Sequence, residues 1–151
     1  MFNTKPFYCS DIFRLDLVNL DTSTENYSIE YYLMNLLSNS QDCYLIEGKT
    51  VLGYMIARLE CKDDATINSH IIALSVSPQV RRNNIASFLM NILKDNSIDN
   101  QCAYIDLFVR ISNEKAIKFY NKIGYSVHET IKDYYIMPKE DAYDMRLYLN
   151  N

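Results

Sequence analysis

The segment Leu74-Ser75-Val76-Ser77-Pro78-Gln79-Val80-Arg81-Arg82-Asn83-Asn84-Ile85-Ala86-Ser87 carries the most legible chemistry in the chain. Its first residues read as a strand that ends at Pro78. Beyond the turn, Ile85, Phe88, Leu89, Ile92 and Leu93 recur with the period of an amphipathic helix. A strand that turns directly into a helix gathers backbone N–H groups at the positive end of that helix, a setting suited to a phosphate or pyrophosphate. Arg81 and Arg82 add charge and donors beside it. By itself the segment also fits an ordinary strand-to-helix loop with a solvated arginine pair.

A second cluster follows the strand 104–110 (YIDLFVR). Asn113 and Tyr120 lie seven residues apart on the next helix, about 20° apart around its axis, so both can face one ligand. Lys115, Lys118 and Lys122 fall on the opposite, solvated side. Taken alone, Tyr120 reads as a core aromatic, His70 as a satisfied structural histidine on a central strand, and Tyr134-Tyr135 as a pair of strand aromatics. The four cysteines (Cys9, Cys43, Cys61, Cys102) and two histidines (His70, His128) lack metal-ligand spacing. Free thiols in a reducing compartment are expected, with no metal.

The elements that must position these residues run strand, helix, helix, three strands, helix, strand, helix, two strands. Residues 2–8 read as a strand, 11–20 and 28–38 as helices, and 43–47 with 50–61 as a hairpin around Gly48-Lys49. Residues 67–77 read as a central strand apolar on both faces. The helix over 113–123 stops at Gly124, and strands at 125–135 and 142–149 follow. This order predicts an α/β (α+β) fold whose sheet is mixed and mostly antiparallel, with helices on both faces.

At 151 residues the chain is expected to be a single domain spanning 1–151. With 48% hydrophobic and 23% charged residues it is not disordered. A net charge of −4 without a basic run argues against direct nucleic-acid binding. No apolar run approaches the roughly 20 residues that span a bilayer, and the first residues show no signal-peptide pattern, so no membrane contact and a cytoplasmic location are expected.

Arg81-x-x-Asn84-x-Ala86 is similar to the acetyl-CoA signature R/Q-x-x-G-x-G/A of the GNAT acetyltransferases, and the element order matches that fold throughout. The blocks FRLDLVNLD (13–21), TENY (24–27), ALSVSP (73–78), DLFVR-I-SN (106–113), FYNKIGYSV (119–127) and EDAYDMR (140–146) more closely resemble the catalytic subunits of NatB-type N-terminal acetyltransferases. One departure is Asn84 in place of the signature glycine. Asn tolerates the left-handed conformation better than other residues that carry a Cβ.

The resemblance implies acetyl-CoA as co-substrate. Backbone groups around Leu74, Ser75 and Val76 would bind its pantetheine arm, and the turn of Arg81, Arg82, Asn83, Asn84, Ile85, Ala86 and Ser87 its pyrophosphate. Asn113 matches a residue that contacts the cofactor arm. Tyr120 matches the tyrosine that stabilises or protonates the departing thiolate. Glu25, Tyr27, Tyr134 and Tyr135 match positions that clamp a peptide N-terminus. His70 matches the group that meets the second residue's acidic or amide side chain and, with Tyr120, the catalytic pair. Ile72 stands where the family carries a hydroxyl.

The implied reaction is direct acetyl transfer, with no acyl-enzyme, to the α-amine of proteins beginning Met-Asp, Met-Glu, Met-Asn or Met-Gln. Deprotonating an α-amine at pH 7 costs about 1.4 kcal/mol and a lysine about 4.6 kcal/mol. Residues 67–74, where lysine-modifying members carry a glutamate base, contain no carboxylate.

Apolar residues project around nearly the whole of both early helices: Ile12, Phe13, Leu15, Leu17, Val18 and Leu20, then Ile29, Tyr31, Tyr32, Leu33, Met34, Leu36 and Leu37. Either these helices are sunk in the core or a second chain covers them. The resemblance implies a large helical-repeat auxiliary subunit and, through it, the ribosome. A GNAT enzyme of another amine specificity and a non-catalytic acyl-CoA-binding module remain as alternatives.

Overall fold

The structure is a computed structural model in which residues 3–15, 18–19, 25–38, 40–62 and 64–149 are described. Strand β1 (Asn3–Pro6) leads into a 3-10 helix (Cys9–Arg14), then α1 (Ile29–Ser38) and a 3-10 turn (Ser40–Asp42). Strands β2 (Cys43–Glu47), β3 (Val51–Cys61) and β4 (Ile67–Val76) follow, with a further 3-10 turn (Pro78–Val80) before α2 (Ile85–Asp99). Strand β5 (Tyr104–Arg110), α3 (Glu114–Lys122), β6 (Ser126–Ile136) and β7 (Lys139–Tyr148) complete the order.

The strands form one seven-stranded sheet, β1-β2-β3-β4-β5-β7-β6. The pairs β1/β2, β2/β3, β5/β7 and β6/β7 are antiparallel and β4/β5 is parallel, as a mixed, mostly antiparallel sheet requires. The chain divides into two compact units, 1–59 with 72–96 and 60–71 with 97–151.

In the first unit Phe7, Leu15, Val18, Tyr32, Leu36, Leu45, Tyr54 and Ile56 form one buried cluster. The hydroxyl of Tyr54, wholly buried, donates to Asn19 Oδ1 at 2.9 Å and lies 3.0 Å from the hydroxyl of Tyr32, so the polar atoms at its centre are satisfied.

The expected helix over 11–20 is instead a 3-10 helix that begins earlier, at Cys9, and ends at Arg14. The cause is Asp11. Its buried carboxylate accepts from Lys5 Nζ at 2.8 Å, the Tyr8 backbone N–H at 3.1 Å and Arg14 Nη1 at 2.8 Å, which tightens the turn around it. Burial raises the Asp11 pKa, but the bonds from Lys5, Tyr8 and Arg14 outweigh this and hold it below the usual value. Ile12, Leu15 and Val18 are buried. Leu17 and Leu20 lie outside the described residues.

In the second unit the parallel ladder joins residues 68–71 of β4 to 104–107 of β5, and β7 pairs with β5 along its length. Ile105, Leu107, Val109, Ala142 and Met145 are buried there.

Candidate active site

In the first unit the end of β4 and the start of α2 form the expected turn. Asn84 has φ 60°, and Arg82 has φ 67°. Asn84 is therefore left-handed, the conformation for which a glycine would be the default residue. Its carbonyl accepts from the Phe88 N–H at 2.9 Å and so begins α2, leaving the N–H groups of 85–87 in the first turn, where a helix supplies no internal partner. Arg81 Nε donates to the Val76 carbonyl at 3.2 Å, pinning this guanidinium beside the turn. Ser75 directs its hydroxyl inward, to the Val18 carbonyl at 3.3 Å, so what Ser75 offers a ligand is its backbone.

Gly53 explains how β3 approaches this segment. A Cβ there would lie 2.9 Å from the Ser75 carbonyl oxygen and 3.2 Å from Ile85 Cγ2. The Ser77 N–H also donates to Leu52 O at 2.9 Å. On the other side of the strand, the β2/β3 register shifts between Ile46 and Glu47.

Of the residues expected to clamp a peptide, Glu25 and Tyr27 belong to this unit and are half-buried. Tyr27 donates to the Ile72 carbonyl at 3.1 Å and packs on the Tyr31 ring at 4.7 Å. The main chain at Ile72 thus takes a hydroxyl from elsewhere in the fold, although Ile72 itself has none. Thr24 of the TENY block lies outside the described residues.

The second unit brings together His70, Tyr134 and Tyr135. The His70 and Tyr134 rings each lie 5.0 Å from Phe108, and Tyr134 packs edge-on against Tyr135. The two tyrosines sit on a bulge: β6 and β7 pair at Ile131↔Ala142 and again at Tyr135↔Glu140, so residues 132–134 stand against Asp141 alone. Asp141 holds the bulge by accepting from the Asp133 N–H at 2.8 Å, and that bond lowers its pKa. The Tyr135 hydroxyl donates to Phe108 O at 3.4 Å, with its ring 3.9 Å from the Arg110 guanidinium. Arg110 also donates to Pro138 O at 3.0 Å and Glu140 Oε2 at 3.3 Å, while Glu140 Oε1 accepts from the Ser112 N–H at 2.7 Å.

The Ser112 contact sets the start of α3. Asn113 caps this helix, its Oδ1 accepting from the Ala116 N–H at 3.2 Å, which leaves Nδ2 as the donor it can offer a ligand. At the other end Tyr125 N donates to Tyr120 O at 3.0 Å and Gly124 N to Asn121 O at 3.1 Å, with Gly124 at φ 96°. This Schellman arrangement stops the helix at the expected glycine and fixes Tyr120 and Tyr125 together, ring to ring at 5.8 Å. Burial pushes the Tyr120 phenol up to about 12 and that of Tyr125 further upward. The Tyr125 hydroxyl is buried without a hydrogen-bond partner.

Asp106, Phe108, Arg110 and Glu140 contact the candidate residues or the start of α3 and were not among those expected from the sequence. The signal for the first three was the alternation in YIDLFVR, which puts Asp106, Phe108 and Arg110 on one face of β5. His70 Nδ1 lies 3.0 Å from Asp106 Oδ2, its register partner. Among the described residues no group of three His, Cys, Asp or Glu is placed to hold a metal ion, and all four cysteines are free thiols.

The acetyltransferase (GNAT) family model matches residues 9–125. The chain belongs to this family. This GNAT chain is 40% identical to N-alpha-acetyltransferase 20 of Dictyostelium discoideum, covering 97% of this chain and 85% of that protein. It is 38% identical to the N-terminal acetyltransferase B complex catalytic subunit NAA20 of Arabidopsis thaliana, over 97% and 84% of the two chains. Among solved structures it is similar to Chaetomium thermophilum Naa20 in complex with a bisubstrate analogue, with TM-score 0.92 and 32% identity over 97% of this chain and 86% of the other. The NatB acetyltransferase complex bound to CoA and MES gives TM-score 0.89 at 35% identity, covering 98% and 99%. Left-handed Asn84 and the first-turn N–H groups of α2 fit the acetyl-CoA expected of the family.

Proposed function

We propose that this chain transfers the acetyl group of acetyl-CoA to the α-amine of proteins that begin Met-Asp, Met-Glu, Met-Asn or Met-Gln. The observation that carries this reading is the correspondence of 97% of the chain to curated catalytic subunits named for the N-terminal acetyltransferase B complex. Residues 1–151 act as one acetyltransferase domain in this reading.

Leu74 and Val76 bind the pantetheine arm through their backbone. The N–H groups of the turn 81–87, with the arginines beside it, bind the pyrophosphate, and Asn113 donates through Nδ2 to the cofactor arm. Glu25, Tyr27, Tyr134 and Tyr135 hold the substrate N-terminus, and His70 meets its second side chain. The neutral α-amine attacks the thioester carbonyl directly; the C–S bond breaks, the amine's proton passes to water, and the thiolate takes a proton from Tyr120, which recovers one from water. With its phenol raised to about 12, Tyr120 keeps its proton throughout the working range, which suits a donor and not a base.

The chain works in the cytoplasm with an auxiliary subunit of helical repeats that brings it to the ribosome. Exposed apolar side chains support a covering partner: Phe13 is 73% exposed and Leu37 76%, with Ile29 and Met34 also exposed. Helix α1 therefore buries one face, through Tyr32 and Leu36, and leaves apolar side chains uncovered on the rest.

The test is acetyl transfer from labelled acetyl-CoA to Met-Asp, Met-Asn, Met-Leu and Ser-Ala peptides and to one with a blocked α-amine and a free lysine, with and without a co-expressed auxiliary subunit. Transfer confined to Met-Asp and Met-Asn is expected. Equal transfer to Met-Leu or to the lysine would keep the chemistry and overturn the specificity. Cofactor binding with no transfer in either preparation would overturn the enzyme.

A further inference from the structure

We propose that Asp106, oriented by Asn68, sets the hydrogen-bonding polarity of His70 and so lets one histidine read both acidic and amide second residues. This rests on the reading above that His70 meets the second side chain.

Asp106 is 3% exposed and faces His70 across the parallel β4/β5 ladder, with Oδ2 at 3.0 Å from Nδ1. Asn68, two residues before His70 and so on the same face of β4, donates from Nδ2 to Asp106 Oδ1 at 2.8 Å. The same nitrogen reaches Glu60 Oε2 at 3.4 Å, so its amide nitrogen, not its oxygen, faces the carboxylates. With one oxygen accepting from Asn68, the Asp106 carboxylate accepts the Nδ1 hydrogen of His70 on the other.

That bond leaves Nε2 to deal with the substrate, in one of two states. In the neutral ring Nε2 is a lone pair and accepts from the amide N–H of Asn or Gln. In the imidazolium Nε2 donates to the carboxylate of Asp or Glu, while Asp106 balances the positive charge. A leucine satisfies neither state.

The other charged groups around the pair are already matched. Glu60 is bonded to Lys62 at 3.0 Å, and Arg146, opposite Asp106 on β7, is bonded to Asp144 at 2.7 Å. Burial keeps the neighbouring Tyr125 phenol protonated. The Phe108 ring, 5.0 Å away, packs against the imidazole without a charge of its own.

The proposal is tested by kcat/KM for Met-Asp, Met-Asn and Met-Leu peptides from about pH 6 to about pH 9. The chain is used with its co-expressed auxiliary subunit, as wild type, Asp106→Asn and His70→Ala. The Met α-amine is common to the peptides and cancels in their ratios. In the wild type the Met-Asp to Met-Asn ratio is expected to fall as pH rises.

In Asp106→Asn, the bond from Asn68 keeps the new side chain's oxygen and turns its amide nitrogen to Nδ1. Nε2 then carries hydrogen without charge. The ratio should drop about tenfold, the step from a charge-assisted to a neutral hydrogen bond, and lose its pH dependence. Thermal melting and acetyl-CoA binding check that the variant folds; if it does not, the wild-type pH profile decides.

A flat wild-type ratio, or an Asp106→Asn ratio equal to wild type, overturns the proposal. A preference over Met-Leu that survives His70→Ala overturns it too and leaves the N-terminal specificity standing. A wild type that does not prefer Met-Asp and Met-Asn over Met-Leu overturns both.

Discussion

At the scale of single residues, Tyr120 and Asn84 show how burial and backbone set the state of a side chain. Tyr120 is held by the last turn of α3 in a site that raises its phenol to about 12. Tyr120→Phe removes the proton and little else, so kcat should fall by about 100-fold with acetyl-CoA affinity nearly unchanged. Single-turnover kinetics with isothermal titration checks both parts, and unchanged turnover would remove Tyr120 from the mechanism. Asn84, at φ 60°, is the best substitute for glycine that a side chain allows. Asn84→Gly relieves some backbone strain but loosens the unfolded chain by a comparable amount, about 0.4–1 kcal/mol each. Melting temperature should therefore barely move, and acetyl-CoA should bind as well or better. Asn84→Val puts a β-branched residue where φ is positive and should lose cofactor binding in the same titration.

The left-handed asparagine was legible because asparagine is enriched in that conformation. Arg82 at φ 67° was not, since nothing in an arginine announces it. The pairing of Asp106 with His70 was unreadable for a different reason: the two are 36 residues apart, and only the β4/β5 register puts them side by side.

At the scale of elements, the helices read at 28–38 and 113–123 lie within a residue of α1 and α3, and the period from Ile85 to Leu93 found α2, which runs on to Asp99. It failed over 11–20, where the bonds to Asp11 from Lys5 and Tyr8, both outside the window, select the tighter turn. The bulge at 132–134 was likewise unreadable, because the side chain that anchors it, Asp141, comes from the next strand.

Two strands approach closely at Gly53. A Cβ there meets the Ser75 carbonyl, which is backbone and can give way only by moving β4. Gly53→Ala should cost about 1–3 kcal/mol in urea denaturation, the usual size of overpacking. The shift would fall on the segment 74–76, so acetyl-CoA affinity should drop as well. A stable variant with wild-type affinity would show that β4 yields without consequence.

At the scale of the whole molecule, buried thiol and phenol groups make stability fall at high pH. Burial raises Cys43 from 9.0 to about 11, and Tyr54, Tyr120 and Tyr125 are raised above the ordinary phenol value of 10.0. A group that holds its proton more tightly when folded contributes fully below its unfolded value, and the contribution disappears as pH rises through the folded value. Stability should be level to about pH 9 and then decline. The thiol alone accounts for about 2–3 kcal/mol between pH 9 and pH 11. Cys43→Ala lowers stability at pH 8 through the lost packing but should flatten the slope over that interval. Urea midpoints at pH 8, 9.5 and 11 measure it, and parallel slopes in both proteins would clear Cys43 of the effect.

The order of the sheet bears on how the protein is made. Strand β7, formed after β6, sits between β5 and β6. A nascent chain that has emerged only as far as Ile136 therefore has a sixth strand with no neighbour to pair with, and the bulge carrying Tyr134 and Tyr135 has no Asp141 to hold it. The pair of tyrosines takes its shape only after residues 139–148 have cleared the exit tunnel. The tyrosine pair that the proposed function assigns to the substrate is thus among the last features of this fold to be set, waiting on the translation of β7.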